Sequence, residues 1–326
     1  MSLEEIGFYT LSDERAKNAS TTSKLQRCEL LLTDKCNFKC PYCRGPNKHT
    51  GGTLTFDEAK HVVNLWASHD LKNVRFSGGE PTVLPYLPEL IRHTKRAGVE
   101  RIAISTNGSA DTALYRELVE SGVNDFSVSL DACCASTGDT MAGGIPGVWT
   151  KVTKNIKVLS SLAYVTVGVV LTDTNFEELP EIIRFAASLG VSDIRIISAA
   201  QWNNEQKFRE LFKDRDILGK YPILAYRIEN FQKGRNVRGI KEQDCHRCYL
   251  MLDDMVVANN SHFTCVIAMR EGCKPVGSIL GKTMAQIREE RADWLIKNDT
   301  FCNKICKNNC LDVCVDYNNE AGKWKN

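Results

Sequence analysis

Thr33-Asp34-Lys35-Cys36-Asn37-Phe38-Lys39-Cys40-Pro41-Tyr42-Cys43 sets three cysteines at a CxxxCxxC spacing, directly after the apolar run Cys28 to Leu32. Three thiolates so spaced can hold three corners of one 4Fe-4S cubane and leave the fourth iron with an open coordination position. An open position separates a metal centre that performs chemistry from one that only holds a fold together. Zinc is the alternative occupant. A structural zinc, however, takes four protein ligands, and the loop holds no fourth Cys and no His; His49 is the nearest candidate.

Outward from this loop, β-rich runs alternate with helical patterns from Arg27 to about Ile197, which predicts parallel strands joined by βα units. The candidate strands are Cys28 to Leu32, Asn73 to Ser77, Arg101 to Thr106, Asp125 to Leu130, Tyr164 to Leu171 and Asp193 to Ile197. Thr55 with Glu58 and Thr174 with Glu177 read as capping boxes, each followed by apolar residues at helical spacing. The expected fold is α/β: a partial (β/α)6 TIM-like barrel over 27–200, after an N-terminal extension over 1–26. A basic connecting segment over 201–243 and a small cysteine-rich C-terminal auxiliary-cluster domain over 244–326 complete the chain.

Barrels of this kind place their chemistry at the C-terminal ends of the strands. The cysteine loop follows the first strand, and Gly78-Gly79-Glu80 follows the second. Its glycines let backbone approach a ligand closely, and its carboxylate can accept from an ammonium group. Ser105 and Asn107 end the third strand, Ser129 and Asp131 the fourth, and Arg195 lies on the sixth. Polar strand ends also serve as caps.

These motifs, in this order over residues 27 to 200, resemble the radical S-adenosylmethionine (radical SAM) superfamily. The resemblance implies that the open iron chelates the amino and carboxylate groups of S-adenosyl-L-methionine. One electron from the cluster then cleaves it to a 5'-deoxyadenosyl radical. It further implies that Tyr42 packs against the adenine, that Gly78, Gly79 and Glu80 bind the methionyl amino group, and that Ser105, Asn107, Ser129 and Asp131 reach the nucleoside or substrate. Arg195 falls on the adenine side, and a flavodoxin- or ferredoxin-type protein is the implied electron donor.

From Cys248 the chain resembles the SPASM domain, an auxiliary-cluster extension of radical SAM enzymes. Cys248, Asn260 and Cys265 follow its opening pattern, with Asn where Gly is usual, and Gly277-Ser278-Ile279 is similar to its Gly-Asn-Ile. Asn suits that position because it too enters the left-handed conformation of a tight turn. Cys245, Cys248, Cys265, Cys273, Cys302, Cys306, Cys310 and Cys314 would supply one or two auxiliary [4Fe-4S] clusters, with a zinc knot as the alternative. The last four are evenly spaced by four, which departs from the family's irregular gaps. Cys133 and Cys134 follow Asp131 at the catalytic end of the barrel. With Asp131 they are the catalytic candidates, since a thiol there could donate a hydrogen atom to a product radical or ligate a metal; ordinary packing is the alternative, and Cys28 reads as core.

At 326 residues and 43% apolar the chain can bury a large core, and a formal charge of +2 gives no global sign. Met1-Ser2-Leu3-Glu4-Glu5-Ile6 has neither a basic n-region nor an apolar h-region, and no apolar run reaches membrane-spanning length. A cytoplasmic protein without a membrane partner is expected. In a reducing compartment, cysteines at short gaps read as metal ligands. Between Lys207 and Lys241, ten Lys or Arg stand against four acids, interleaved with Phe208, Phe212, Tyr221, Tyr226 and Phe231. Phosphates and exposed bases would both find partners in such a stretch, although an amphipathic helix and solvated linker look the same.

The expected substrate is a peptide or protein, from which hydrogen is abstracted. The alternative is radical modification of a nucleobase substituent in DNA, as in compact radical SAM proteins of phage thymidine hypermodification. A non-catalytic iron-sulfur or zinc protein is the third reading, and it would need no Gly-Gly-Glu.

Overall fold

The computed structural model describes residues 3, 6, 13–44, 52–199, 212–235 and 238–325. Six strands appear where the alternation placed them, to within about two residues: β1 (Arg27–Thr33), β2 (Asn73–Gly78), β3 (Arg101–Thr106), β4 (Asp125–Ser129), β5 (Tyr164–Leu171) and β6 (Asp193–Ser198). They pair parallel, each with the next, as βα connections require. Three more follow, β7 (Asp254–Ala258), β8 (Ser261–Phe263) and β9 (Gly277–Ser278). The full order is β6-β5-β4-β3-β2-β1-β7-β8-β9.

β7 runs parallel to β1, with Arg27 opposite Asp254 and Leu31 opposite Ala258. The cysteine-rich region therefore continues the barrel sheet. β8 returns antiparallel through a turn whose two residues, Asn259 and Asn260, both have left-handed φ, at 43° and 58°. Asn tolerates that conformation better than other side chains, so the substitution of Asn260 for the usual Gly carries little strain.

The helix Phe56–Ala67 begins at the expected box: Thr55 Oγ1 accepts from Glu58 N at 3.3 Å, and Thr55 N donates to Glu58 Oε2 at 2.8 Å. Its apolar stripe, Ala59, Val62, Val63 and Trp66, is fully buried. Trp66 Nε1 reaches Met255 Sδ at 3.2 Å, fastening this helix to β7. The second box does not form. The helix there runs Leu179–Ser188 with Glu178 at its N-cap, and no side chain caps it. Asn175 governs the turn instead: its carboxamide accepts from Thr172 N and donates to the carbonyls of Asp131 and Val170. Those buried carbonyls need partners more than an exposed helix start does.

Three aromatics of the basic segment are core, while Lys213, Arg215, Lys220 and Lys233 are exposed. Phe212, Tyr221 and Phe231 are at most 3% exposed. Tyr226 and Arg235 bond Asp316, and buried Arg227 pairs with buried Asp312, joining the helix Pro222–Gln232 to the helix Asp312–Lys325. Faces turned inward cannot stack nucleic-acid bases, so this expectation is corrected for Phe212, Tyr221 and Phe231. Lys207, Phe208 and Arg209 lie outside the described residues. No helix among those described is long and apolar enough to cross a membrane.

Candidate active site

A cavity of about 350 Å³ opens at the C-terminal ends of the barrel strands. Cys36, Cys40, Tyr42, Cys43, Gly78, Gly79, Ser105, Asn107, Ser129, Asp131 and Arg195 all line it. Residues that follow or end four strands, with Arg195 from within β6, thus converge on one space.

The two glycines serve the cysteine loop. Gly79 N donates to Thr33 O at 2.6 Å and Glu80 N to Lys35 O at 2.8 Å. A Cβ on Gly78 would stand 2.3 Å from Thr33 O, and one on Gly79 would stand 2.1 Å from Lys35 O. Only glycine lets these two backbones touch, and their contact sets where Cys36 begins.

Glu80 completes this motif. Its carboxylate is buried and turned away from the cavity, accepting from Thr82 N and Oγ1, from Thr106 Oγ1 at 2.8 Å and from Asn107 N at 2.7 Å. It clamps the end of β3 to the turn after β2. Burial pushes its carboxyl upward against the pull of those donors. Asn107 is likewise engaged by the protein: its Nδ2 donates to Asn37 Oδ1 at 2.8 Å and stands 3.9 Å from Cys36 Sγ, while its Oδ1 accepts from Ser109 N and Oγ. Asn37 Nδ2 closes this ring on Ser109 Oγ at 2.8 Å.

Tyr42 donates its hydroxyl to Asp131 Oδ2, and Asp131 Oδ1 accepts from Val170 N at 2.7 Å. The carboxyl so placed ties the cysteine loop to β5, and burial raises its pKa to about 6. Deeper in the cavity Ser77 Oγ donates to Glu29 and Arg195 donates to Ser127 Oγ, with Arg75 beside them.

Cys133 and Cys134 do not line the cavity. After Asp131 the chain enters the helix Ala135–Met141 with Cys134 as its N-cap, and that helix brings Gly138 and Met141, not the two thiols, to the cavity. Cys133 Sγ faces Glu178 Oε2 at 3.9 Å, and Cys134 Sγ lies against Ser136 and Thr137. Neither thiol faces the space where the other candidate residues meet.

Three thiols and no fourth face the cavity, the donor set of a cubane with an open iron. Among the described residues no three Cys, His, Asp or Glu side chains close on a single ion-sized point, whereas in a cubane each thiolate takes its own iron. Burial pushes the Cys40 thiol up to about 12 and raises Cys36 as well. These thiols become thiolates when a cationic metal centre displaces their protons. The residues fit the group.

Of the eight downstream cysteines, Cys310 and Cys314 share a hydrogen bond and lie beside Cys248 and Cys265. Cys306 lies near Cys248, Cys265 and Cys273. Cys245 instead donates to Arg247 O, and Cys302 is exposed.

Residues 30–186 match the family model "Radical SAM superfamily". The chain is 35% identical over 166 residues to the AdoMet-dependent heme synthase of Methanosarcina barkeri (strain Fusaro), covering 49% of this chain and 46% of that protein. It is 31% identical over 191 residues to the GTP 3',8-cyclase of Clostridium perfringens, covering 55% and 57%. The chain thus spans about half the length of these curated relatives. Among solved structures it resembles anSMEcpe with bound AdoMet and Cp18Cys peptide, with a TM-score of 0.60 at 15% identity over 91% of this chain and 96% of that one. It also resembles Streptococcus suis SuiB bound to its precursor peptide SuiA, with a TM-score of 0.59 at 14% identity over 82% and 65%. Likeness at these identities is likeness of fold.

Proposed function

Residues 30–186 match the Radical SAM superfamily model, and from that premise we propose that the chain is a radical SAM enzyme that modifies a peptide or protein by hydrogen abstraction. The carrying observation is the cavity where three thiols and the polar ends of consecutive parallel strands meet. Cys36, Cys40 and Cys43 would hold a [4Fe-4S] cluster, with S-adenosyl-L-methionine beside it. When bound, this pair supplies one-electron reductive cleavage to a 5'-deoxyadenosyl radical that takes a hydrogen atom from the substrate.

The chain's own residues do the positioning. Gly78 and Gly79 seat the cysteine loop, Asp131 holds Tyr42, and Ser105, Ser129 and Arg195 offer polar groups to the nucleoside. The long apolar walls from Met141, Val148 and Val152 keep water from the reacting centre. Cys248, Cys265, Cys310 and Cys314 would carry one auxiliary [4Fe-4S] cluster, and a flavodoxin- or ferredoxin-type protein would deliver electrons.

A peptide is favoured over a nucleobase by two observations. Likeness to the two peptide-bound structures extends over most of this chain, and three of the five interleaved aromatics, Phe212, Tyr221 and Phe231, are core and closed to bases. Replacing Cys36, Cys40 and Cys43 together with Ala should abolish 5'-deoxyadenosine formation and leave the auxiliary iron in place. Full activity in that variant would sink the assignment. Mass spectrometry of candidate peptides and oligonucleotides, with 5'-deoxyadenosine counted per turnover, identifies the substrate.

A further inference from the structure

Arg44, Arg238 and Arg270 reach the cavity from three separate segments: directly after the cysteine loop, beyond the helix Pro222–Gln232, and at the end of the helix Val266–Arg270. Among the described residues their one carboxylate partner is Glu271, paired with Arg44. These four side chains leave a formal excess of two positive charges. Arg238 donates to main-chain carbonyls only, Ser198 O at 2.8 Å and Asn309 O at 3.4 Å. Among the described residues the buried Nε of Arg270 and Nη2 of Arg44 have no hydrogen-bond partner.

Crowding like charges in a half-buried place costs folding free energy, and buried donors left unmade cost more. The acids deeper in the cavity cannot relieve it, because Glu29 is bonded by Ser77, and Asp131 by Tyr42 and Val170. S-adenosyl-L-methionine cannot either. Its carboxylate is matched by its own ammonium, and its sulfonium adds a positive charge.

Resting on the peptide reading above, we propose that Arg44, Arg238 and Arg270 bind an oxyanion on the substrate, an acidic or phosphorylated side chain of the peptide. Guanidinium forks suit both groups. Three guanidiniums at one mouth of the cavity present enough forked donors for one or two carboxylates or for one phosphomonoester.

Four probes test this on the anaerobically reconstituted enzyme with S-adenosyl-L-methionine at about 0.15 M salt: a peptide of alternating Gly and Glu, its Gln counterpart, its phosphoserine counterpart, and GTP. The Glu or the phosphoserine peptide should bind at least tenfold tighter than the Gln peptide, and whichever binds better names the source of the anion. Arg270→Gln should cut that preference to threefold or less while S-adenosyl-L-methionine affinity is retained. Arg238→Gln should do the same if it folds; Arg270→Gln, which breaks no bond of the chain, keeps the test decisive. Equal binding of the Glu, phosphoserine and Gln peptides, an undiminished preference in Arg270→Gln, or tighter binding of GTP than of either anionic peptide would overturn the proposal. Cleavage of S-adenosyl-L-methionine by dithionite-reduced enzyme, measured without peptide, reports the radical reading separately.

Discussion

Glu80 shows how one carboxylate can act on a site it does not touch. Four donors converge on it, two of them main-chain N–H groups, so it fixes where Asn107 leaves β3. Asn107 in turn holds Asn37 beside Cys36. Glu80→Gln retains the shape but turns an NH2 toward these donors, leaving at least one buried N–H unmade at a cost of about 1–3 kcal/mol. Thermal unfolding of the variant should therefore drop, and the affinity for S-adenosyl-L-methionine should fall only as far as the loop loosens. Were Glu80 instead a direct ligand of the methionyl ammonium, the variant would lose affinity at unchanged stability. Measuring both quantities on the same preparation separates the two.

At the scale of elements, the β7–β8 hairpin is held by charge that must stay neutral at one point. His262 on β8 is fully buried, with Nε2 3.0 Å from Glu290 and Nδ1 3.4 Å from the guanidinium of buried Arg291. Burial first and Arg291 second hold its pKa down to about 4, below the ordinary 6.5. A depressed histidine contributes stability that is present above pH 6.5 and lost as pH falls toward 4. Roughly 2 kcal/mol should be gone by pH 5, at 1.36 kcal/mol per pH unit. In paired urea unfolding at pH 7 and pH 5, His262→Gln should show a smaller fall than the parent; identical falls would place the acid sensitivity elsewhere. The six barrel strands were legible because apolar periodicity and polar strand ends agree from Arg27 to Ser198. β7 and its hairpin were not, because their residues had already been read as spacers between cysteines. Periodicity reports that alternate residues share a face and is silent on which face is a lumen, so Glu29, Arg75 and Ser127 passed unnoticed. Chain position placed Cys133 and Cys134 near the reacting end, but the helix that follows them turns Gly138 and Met141 to the cavity instead. Composition likewise counted the aromatics of the basic segment without revealing that three of them point inward.

Across the whole molecule, the second group of cysteines lies where the extended sheet meets the last helix. Cys248 precedes β7, Cys265 follows β8, and Cys314 belongs to the helix Asp312–Lys325. That helix is anchored at several points: Asp312 to Arg227, Asp316 to Tyr226 and Arg235, Tyr317 to Asp253, and Asn318 to Leu250 N. A cluster joining Cys248 and Cys265 to Cys310 and Cys314 would therefore link the hairpin to a helix already fixed against the barrel, adding metal-ligand bonds to contacts the protein makes on its own. With four irons per cubane, one such cluster beside the first gives about eight iron atoms per chain. Cys310→Ala with Cys314→Ala should reduce that to about four and lower the unfolding temperature. Replacement of Cys36, Cys40 and Cys43 should also leave about four, now without S-adenosyl-L-methionine cleavage. Elemental analysis of anaerobically reconstituted protein decides among the arrangements: about twelve irons would recruit Cys245, Cys273, Cys302 and Cys306 to a further cluster, whereas four irons with one zinc would make the C-terminal cysteines a structural knot and remove the auxiliary cluster from the enzyme.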